Sequence, residues 1–241
     1  MVVVAHPDDE SLGAGISLAQ ARRITFVHVT DGARSFINAL SKGFLTRAHY
    51  AQARQKELRH ALFTISAEKE FVSLGLRDQR AAYHIAETAK SLRQYCNQYM
   101  PDLILTHAFE GGHPDHDATA MAVHLATSGS RTPLYEMSGY NRFGGQDQYG
   151  AFVPRPGTET IIVPLTPEEQ SQKKAMLAAF SSQKKIVEKF PVAVESFRLA
   201  PQYDFRVAPH EGPLYYEAHK LGTTWPVWNE LARAALGELK L

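Results

Sequence analysis

Short apolar runs alternate with longer amphipathic stretches along the first 140 residues of the chain. Val2–Ala5 is continuously apolar, the pattern of a strand buried on both faces. Ile24–Thr30, ITFVHVT, is rich in β-branched residues and is stopped by the turn pair Asp31-Gly32. Phe71–Leu76 and Asp102–His107 read as a third and a fourth strand. Between them lie helical patterns over Ser11–Arg22, Thr46–Ile65, Tyr83–Met100 and the alanine-rich Asp115–Ser128, the third of these ended by Pro101. Thr132–Tyr140 and Thr160–Leu165 read as later strands.

Strands that alternate with helices pair in parallel through right-handed crossovers. The pattern therefore predicts an α/β fold: a Rossmann-like, doubly wound, mostly parallel sheet with helices on both faces. No G-x-G-x-x-G follows the first strand, so a dinucleotide is not implied. We expect one domain over residues 1–241, with an α/β core at about 1–140 and a C-terminal part that supplies lid or pocket segments. In that part Thr166 to Phe190 reads as helical, with Thr166, Pro167 and Glu169 forming a capping-box signature. Lys173, Lys174, Lys184 and Lys185 read as its solvated face. The aromatic- and proline-rich stretch 195–217 reads as a long ordered loop with short strands, placed as a lid or edge over a site.

Composition narrows the function classes. The 241 residues are 44% hydrophobic and 21% charged, which suits a soluble chain with a substantial core. Twenty-six basic residues against 25 acidic ones leave a formal charge of +1, so nothing electrostatic calls for nucleic acid or an anionic membrane as partner. The single cysteine, Cys96, excludes an internal disulfide and reads as an inert, packed thiol. No apolar run is long enough to span a bilayer, and no basic-then-apolar leader opens the chain, so a cytoplasmic location is the expectation. A small molecule or glycoconjugate is the expected partner; self-association is left open.

The chemistry gathers at two predicted strand ends, where open α/β sheets hold ligands. The first strand runs into AHPDDE, His6 to Glu10; the fourth runs into THAFEGGHPDHDA, with His113 and His116. Both contain His-Pro-Asp and both enter a helix. His6 and Asp9, three apart in a turn entering a helix, can aim at one point, while Asp8 between them aims elsewhere. His113 and His116 repeat that spacing. Two imidazoles and one carboxylate on an ion leave a position open for water, the mark of a catalytic rather than a structural zinc site. One such string alone would read as a helix cap; two, at predicted strand ends of one sheet, point to a metal site.

AHPDDE paired with GGHPDHDA resembles the LmbE-like, or PIG-L, zinc-dependent N-deacetylases, and the likeness extends to TDG at Thr30–Gly32 and RQKEL at Arg54–Leu58. The resemblance implies hydrolysis of an N-acetyl group on an N-acetylglucosamine-like amino sugar or glycoconjugate. It implies Zn2+, or another divalent ion such as Fe2+, held by His6, Asp9 and His116. It implies Asp8 as general base, His113 as the group that stabilises the intermediate or protonates the leaving amine, and Arg54 as a contact for an anionic group of the substrate. Some members carry a tyrosine two residues before the first histidine of the second motif; Gly111 stands there, so any such hydroxyl, from Tyr140 or Tyr203, must come from elsewhere.

Around this set, Asp31 reads either as a turn residue or as a support for a ligand histidine. Asp115 and Asp117 read as caps or orienters of the second motif, His107 as a support at the strand end, and His210 as a group that reaches the pocket from the tail or lies on a surface loop. Glu10 reads as a first-turn helix acid and His28 as a core histidine. Tyr215, Tyr216, Trp225 and Trp228 read as core in preference to a sugar-stacking platform, and Ser138–Asn141 as pocket lining. Two other functions stay open: a non-haem Fe(II) oxygenase, whose facial triad uses the same residue types but usually on a β-barrel, and a non-catalytic carbohydrate-binding relative.

Overall fold

The computed structural model describes residues 1–240. The chain starts in β1 (Val2–Val4), turns at His6 and Pro7, and enters α1 (Asp9–Ala14). After a 3-10 turn at Ser17–Gln20 it crosses into β2 (Arg23–Thr30). Two helices follow, α2 (Phe36–Ser41) and α3 (Arg47–Ala61), capped by the hydroxyls of Ser35 and Thr46. Then come β3 (Glu68–Leu76), α4 (Ile85–Tyr99), β4 (Ile104–His107) and α5 (Pro114–Thr127). The second half begins with β5 (Leu134–Met137) and a small hairpin of β6 (Tyr140–Asn141) and β7 (Gln148–Tyr149). It continues through β8 (Ile161–Pro164), α6 (Pro167–Ala178), α7 (Lys184–Val187) and β9 (Val194–Leu199), and ends in α8 (Tyr215–Ala218) and α9 (Trp225–Glu238).

Seven strands form one sheet in the order β3-β2-β1-β4-β5-β9-β8. The first five are parallel, and β9 and β8 join antiparallel. The fold is thus the mostly parallel α/β sandwich that the strand–helix alternation predicts. Alternate residues divide between the faces. Val3, Val27, Val29 and Ile104 pack with α4, α5 and α9 on one side, and Val2, Val4, Ile24, Phe26 and Leu105 with α1, α3 and α6 on the other. The strand order reverses between β1 and β4, so the crevice where such sheets bind ligands opens between the carboxyl ends of these two strands.

Several elements differ from the sequence reading. The helix expected over Ser11–Arg22 is the six-residue α1 followed by the 3-10 turn. Its glycines admit two methionines: a Cβ on Gly13 would stand 2.6 Å from the Met137 sulfur, and one on Gly15 2.5 Å from that of Met176. The capping box at Thr166 is formed, but the helix it starts breaks after Ala178. Lys173 is not on a solvated face: it is buried and its Nζ lies 2.9 Å from Glu195. The stretch from residue 195 on, read as a loop with short strands, contributes most of β9, a strand of the main sheet rather than of a loop, and is followed by α8 and α9. The reason lies in β9's pattern, which buries Glu195, Ser196 and Arg198 and exposes Leu199, the reverse of a hydrophobic strand. Tyr216 and Trp228 are core, as expected. Among the described residues no helix is long and apolar enough to cross a membrane.

Candidate metal centre

Each motif is a tight turn locked by its own polar groups. Past β1, the carbonyl of His6 accepts from the N–H groups of Asp8 and Asp9 (2.9 and 3.3 Å), while the N–H of His6 donates to Asp9 Oδ2 (2.7 Å). This reciprocal closure turns the His6 and Asp9 side chains to the same side. Asp8 occupies the N-cap position of α1 without capping it, so its carboxylate is free for another partner. Past β4, the loop passes under Tyr140. A Cβ on Gly112 would sit 2.0 Å from the Tyr140 carbonyl oxygen, so only glycine fits there. Asp117 Oδ1 accepts from the N–H groups of Glu110 and Gly111 (3.2 and 3.1 Å), which closes the loop. His113 caps α5: its Nδ1 accepts from the Asp115 N–H (3.1 Å), so the neutral ring carries its proton on Nε2.

The two turns meet. His6 Nδ1 lies 3.2 Å from His116 Nε2 and 3.4 Å from Asp9 Oδ2, and His116 Nε2 lies 3.2 Å from Asp9 Oδ1. Ligands on a tetrahedral zinc ion at about 2.1 Å stand roughly 3.4 Å from one another. Two imidazole nitrogens that face each other have no mutual use as hydrogen-bond partners unless one holds a proton, but both suit a shared cation. The electrostatics agree. Burial opposes charge on His6, yet Asp9, Asp115 and Asp78 raise its pKa well above the ordinary histidine value. Burial opposes charge on Asp9 too, yet His116, His107 and His6 hold its carboxyl well below the usual range. Burial, then His107, push His116 down to about 4, which leaves a lone pair to offer. The centre is built for positive charge, and the donor set fits a divalent ion. Wider groups overlap it: His6, His113 and His116; Asp9, His107 and His116; and His6, Asp78, His113 and Asp115 each bring ligand atoms within 4.8 Å.

Support comes from behind the three donors. His6 turns its other nitrogen to Asp115 Oδ2 and Asp78 Oδ1, both 3.3 Å away. Asp115 is itself fixed by the N–H groups of Gln79 and Ala81 (2.6 and 3.0 Å). His107 Nε2 lies 3.2 Å from Asp9 Oδ2. Tyr140 sets its ring against His116 with centroids 5.2 Å apart. Asp78 was absent from the sequence reading. Its signal was position, two residues past the end of β3 at the same edge of the sheet as His6.

Of three further candidates, Asp31 takes the first of its two readings, His210 takes neither of its two, and Arg54 stands inside the protein. Asp31 is a turn residue: its Oδ1 accepts from the Ala33 N–H at 3.0 Å and its Oδ2 pairs with Arg47, so it supports no ligand histidine. His210 bonds the Glu211 carbonyl through Nδ1 (2.7 Å) and packs against Phe143, neither on the surface nor among the metal-capable groups. Arg54 stands beside Asp8. It is buried, with one guanidinium nitrogen 2.8 Å from Asp8 Oδ1 and another donating to the Gly32 carbonyl at 3.0 Å. Glu10 and His28, read separately as a helix acid and a core residue, form one buried pair at 2.9 Å.

The family described as PIG-L, GlcNAc-PI de-N-acetylase, matches residues 1–127, which end with α5 and hold both turns. The chain belongs to the PIG-L family. A probable N-acetyl-alpha-D-glucosaminyl L-malate deacetylase 2 of Bacillus anthracis is 33% identical to this PIG-L chain over 131 residues, 51% of the chain and 56% of that protein. A 1D-myo-inositol 2-acetamido-2-deoxy-alpha-D-glucopyranoside deacetylase of Corynebacterium jeikeium is 30% identical over 163 residues, 52% of the chain and 49% of that protein. The PIG-L chain thus spans about half the length of the curated relatives it matches. In fold, the zinc-inhibited form of teicoplanin deacetylase Orf2 superimposes with a TM-score of 0.61 at 19% identity, covering 84% of this chain and 98% of that one.

Proposed function

We propose that the chain is a zinc-dependent N-deacetylase that hydrolyses the acetamide of an N-acetylglucosamine-like amino sugar or glycoconjugate to acetate and a free amine. Residues 1–241 serve as one catalytic unit. The observation that carries the reading is the convergence of His6, Asp9 and His116 donors beside Asp8, a carboxylate that takes no place among them. Membership of the PIG-L family and the deacetylase relatives support the reaction class.

His6 Nδ1, His116 Nε2 and Asp9 would hold the ion. A divalent ion there supplies Lewis acidity to a carbonyl and acidity to water. The chain's own groups supply the rest. Burial pushes Asp8 up to about 6 against the pull of Arg54, so near neutrality it is an ionised base with real proton affinity. It accepts the proton of the attacking water and can return it to the leaving nitrogen. His113, pushed down to about 3 by burial and by His6, is a neutral ring with its Nε2 proton free to donate towards the oxygen on which charge develops. Burial, then Asp9, keep the Tyr140 hydroxyl protonated as a second neutral donor on the wall beside His116.

The test is release of acetate, with one free amine per acetate, from a panel of soluble N-acetyl amino sugars by zinc-loaded protein. Release from at least one member supports the reading. No release from any, by protein that binds zinc at this site, overturns it.

A further inference from the structure

His113 and His116 stand at the start of α5, just past a loop that the second half of the chain takes hold of. Glu110, three residues before His113, is buried. Its Oε1 lies 2.9 Å from Arg198 Nη2 and accepts from the Val153 N–H at 2.8 Å, and its Oε2 accepts from the Asn141 amide at 3.4 Å. Its own N–H and that of the next residue, Gly111, are held by Asp117 in the first turn of α5. The main chain of the loop is thus tied to its own helix, and its side chain to β9 and the segment after the β6–β7 hairpin.

Arg198, the next-to-last residue of β9, has few degrees of freedom left. Its Nε donates to Glu136 Oε2 at 2.8 Å, its Nη1 to the Val153 carbonyl at 3.1 Å and its Nη2 to the Tyr203 hydroxyl at 2.9 Å. Its guanidinium lies 4.2 Å over the Phe152 ring. A planar fork with this many acceptors has a single orientation. Two buried carboxylates share this one guanidinium, and burial, against Arg198's pull, moves Glu110 up to about 7. Apolar residues of the same volume would join β9 to the loop at least as firmly. The ion pair adds direction: it fixes where the loop backbone stands relative to β5 and β9. The first motif, with His6 and Asp9, is fixed by its own turn, and β1 pairs with β4, so what is left to set is the loop that runs from the end of β4 to His113.

We propose that Arg198 and Glu110 are positioning residues that set the second histidine pair, His113 and His116, against the first motif. The C-terminal half, beyond the matched residues 1–127, then takes part in building the centre. This inference rests on the metal-dependent reading in taking His116 as a ligand.

The test uses the full chain with Glu110→Gln, Arg198→Lys, Arg198→Met and, as control, Tyr203→Phe. Tyr203 bonds Glu136 and Arg198 but not Glu110. Zinc affinity is measured by chelator competition, stability by urea, and kcat and KM by acetate release. Glu110→Gln should fold and bind zinc about tenfold or more weakly, with kcat reduced and KM little changed. Arg198→Lys should retain more zinc affinity than Arg198→Met, and Tyr203→Phe should lose stability at unchanged zinc affinity. The near-isosteric Glu110→Gln decides should Arg198→Met not fold. Wild-type zinc affinity in folded Glu110→Gln overturns the proposal, as does an equal loss in Tyr203→Phe, the sign of general loosening. Zinc affinity needs no turnover, so a chain that binds zinc but releases no acetate fails the functional reading and still decides this one.

Discussion

Asp8 Oδ1 lies 2.8 Å from a guanidinium nitrogen of Arg54, with both side chains buried. The pair explains how a carboxylate beside Asp9 and Glu10 stays usable as a base. Burial and the neighbouring acids raise its pKa, and Arg54 stops the rise near 6. The base works deprotonated, so kcat/KM should fall about tenfold per pH unit below the pKa of Asp8, at or below about 6 once a cation sits beside it. Removing a positive neighbour raises a carboxylate's pKa. The acid limb of the pH–rate profile should therefore move to higher pH in Arg54→Met, measured with an uncharged substrate; an unmoved or lowered limb contradicts this role for Arg54.

Asp8→Asn keeps shape and removes the base. It should bind zinc as the parent does and lose roughly 10²–10⁴ in kcat. Metal content and single-turnover acetate release on the same sample check both halves of that statement.

Asp9→Ala and His116→Ala should instead lose the ion. Each removes one of three donors that stand 3.2 to 3.4 Å apart. Dialysis followed by elemental analysis should find these variants empty where Asp8→Asn is loaded, and added zinc should restore activity to chelator-treated parent but not to them.

Far from the centre, Lys173 and Glu195 test the fold. Glu195 accepts from Lys173 Nζ (2.9 Å) and from the N–H groups of Ile16 and Ser17 (2.9 and 2.8 Å), so it ties α6 and the start of the 3-10 turn after α1 to β9. Lys173→Met leaves that carboxylate buried with its charge unpaired and should cost about 3–5 kcal/mol in urea unfolding. Activity per folded molecule should stay near the parent value.

The parallel half of the fold was legible because β1, β2 and β4 bury apolar residues on both faces and read as such. The centre was legible because its two motifs are local: His6 with Asp9, and His113 with His116, each lie within one turn. Asp78 and the Arg54–Asp8 pair were not, because they depend on which strand ends become neighbours and on where α3 packs, properties of the assembled fold rather than of any segment. β9 was legible only as a short strand in a loop, and its place in the main sheet escaped for a related reason. Glu195 and Arg198 belong inside only because Lys173, Glu110 and Glu136 come to meet them there. A polar strand whose partners lie up to 88 residues away carries no periodic signal of its own burial.

The most direct measurement follows bound zinc and acetate release together while metal-free protein is titrated. Release should rise in step with the first ion bound per chain, and Asp8→Asn should take up that ion with release reduced roughly 10²–10⁴-fold. Undiminished release from metal-free protein, or binding of that ion with no change in release, would contradict the account.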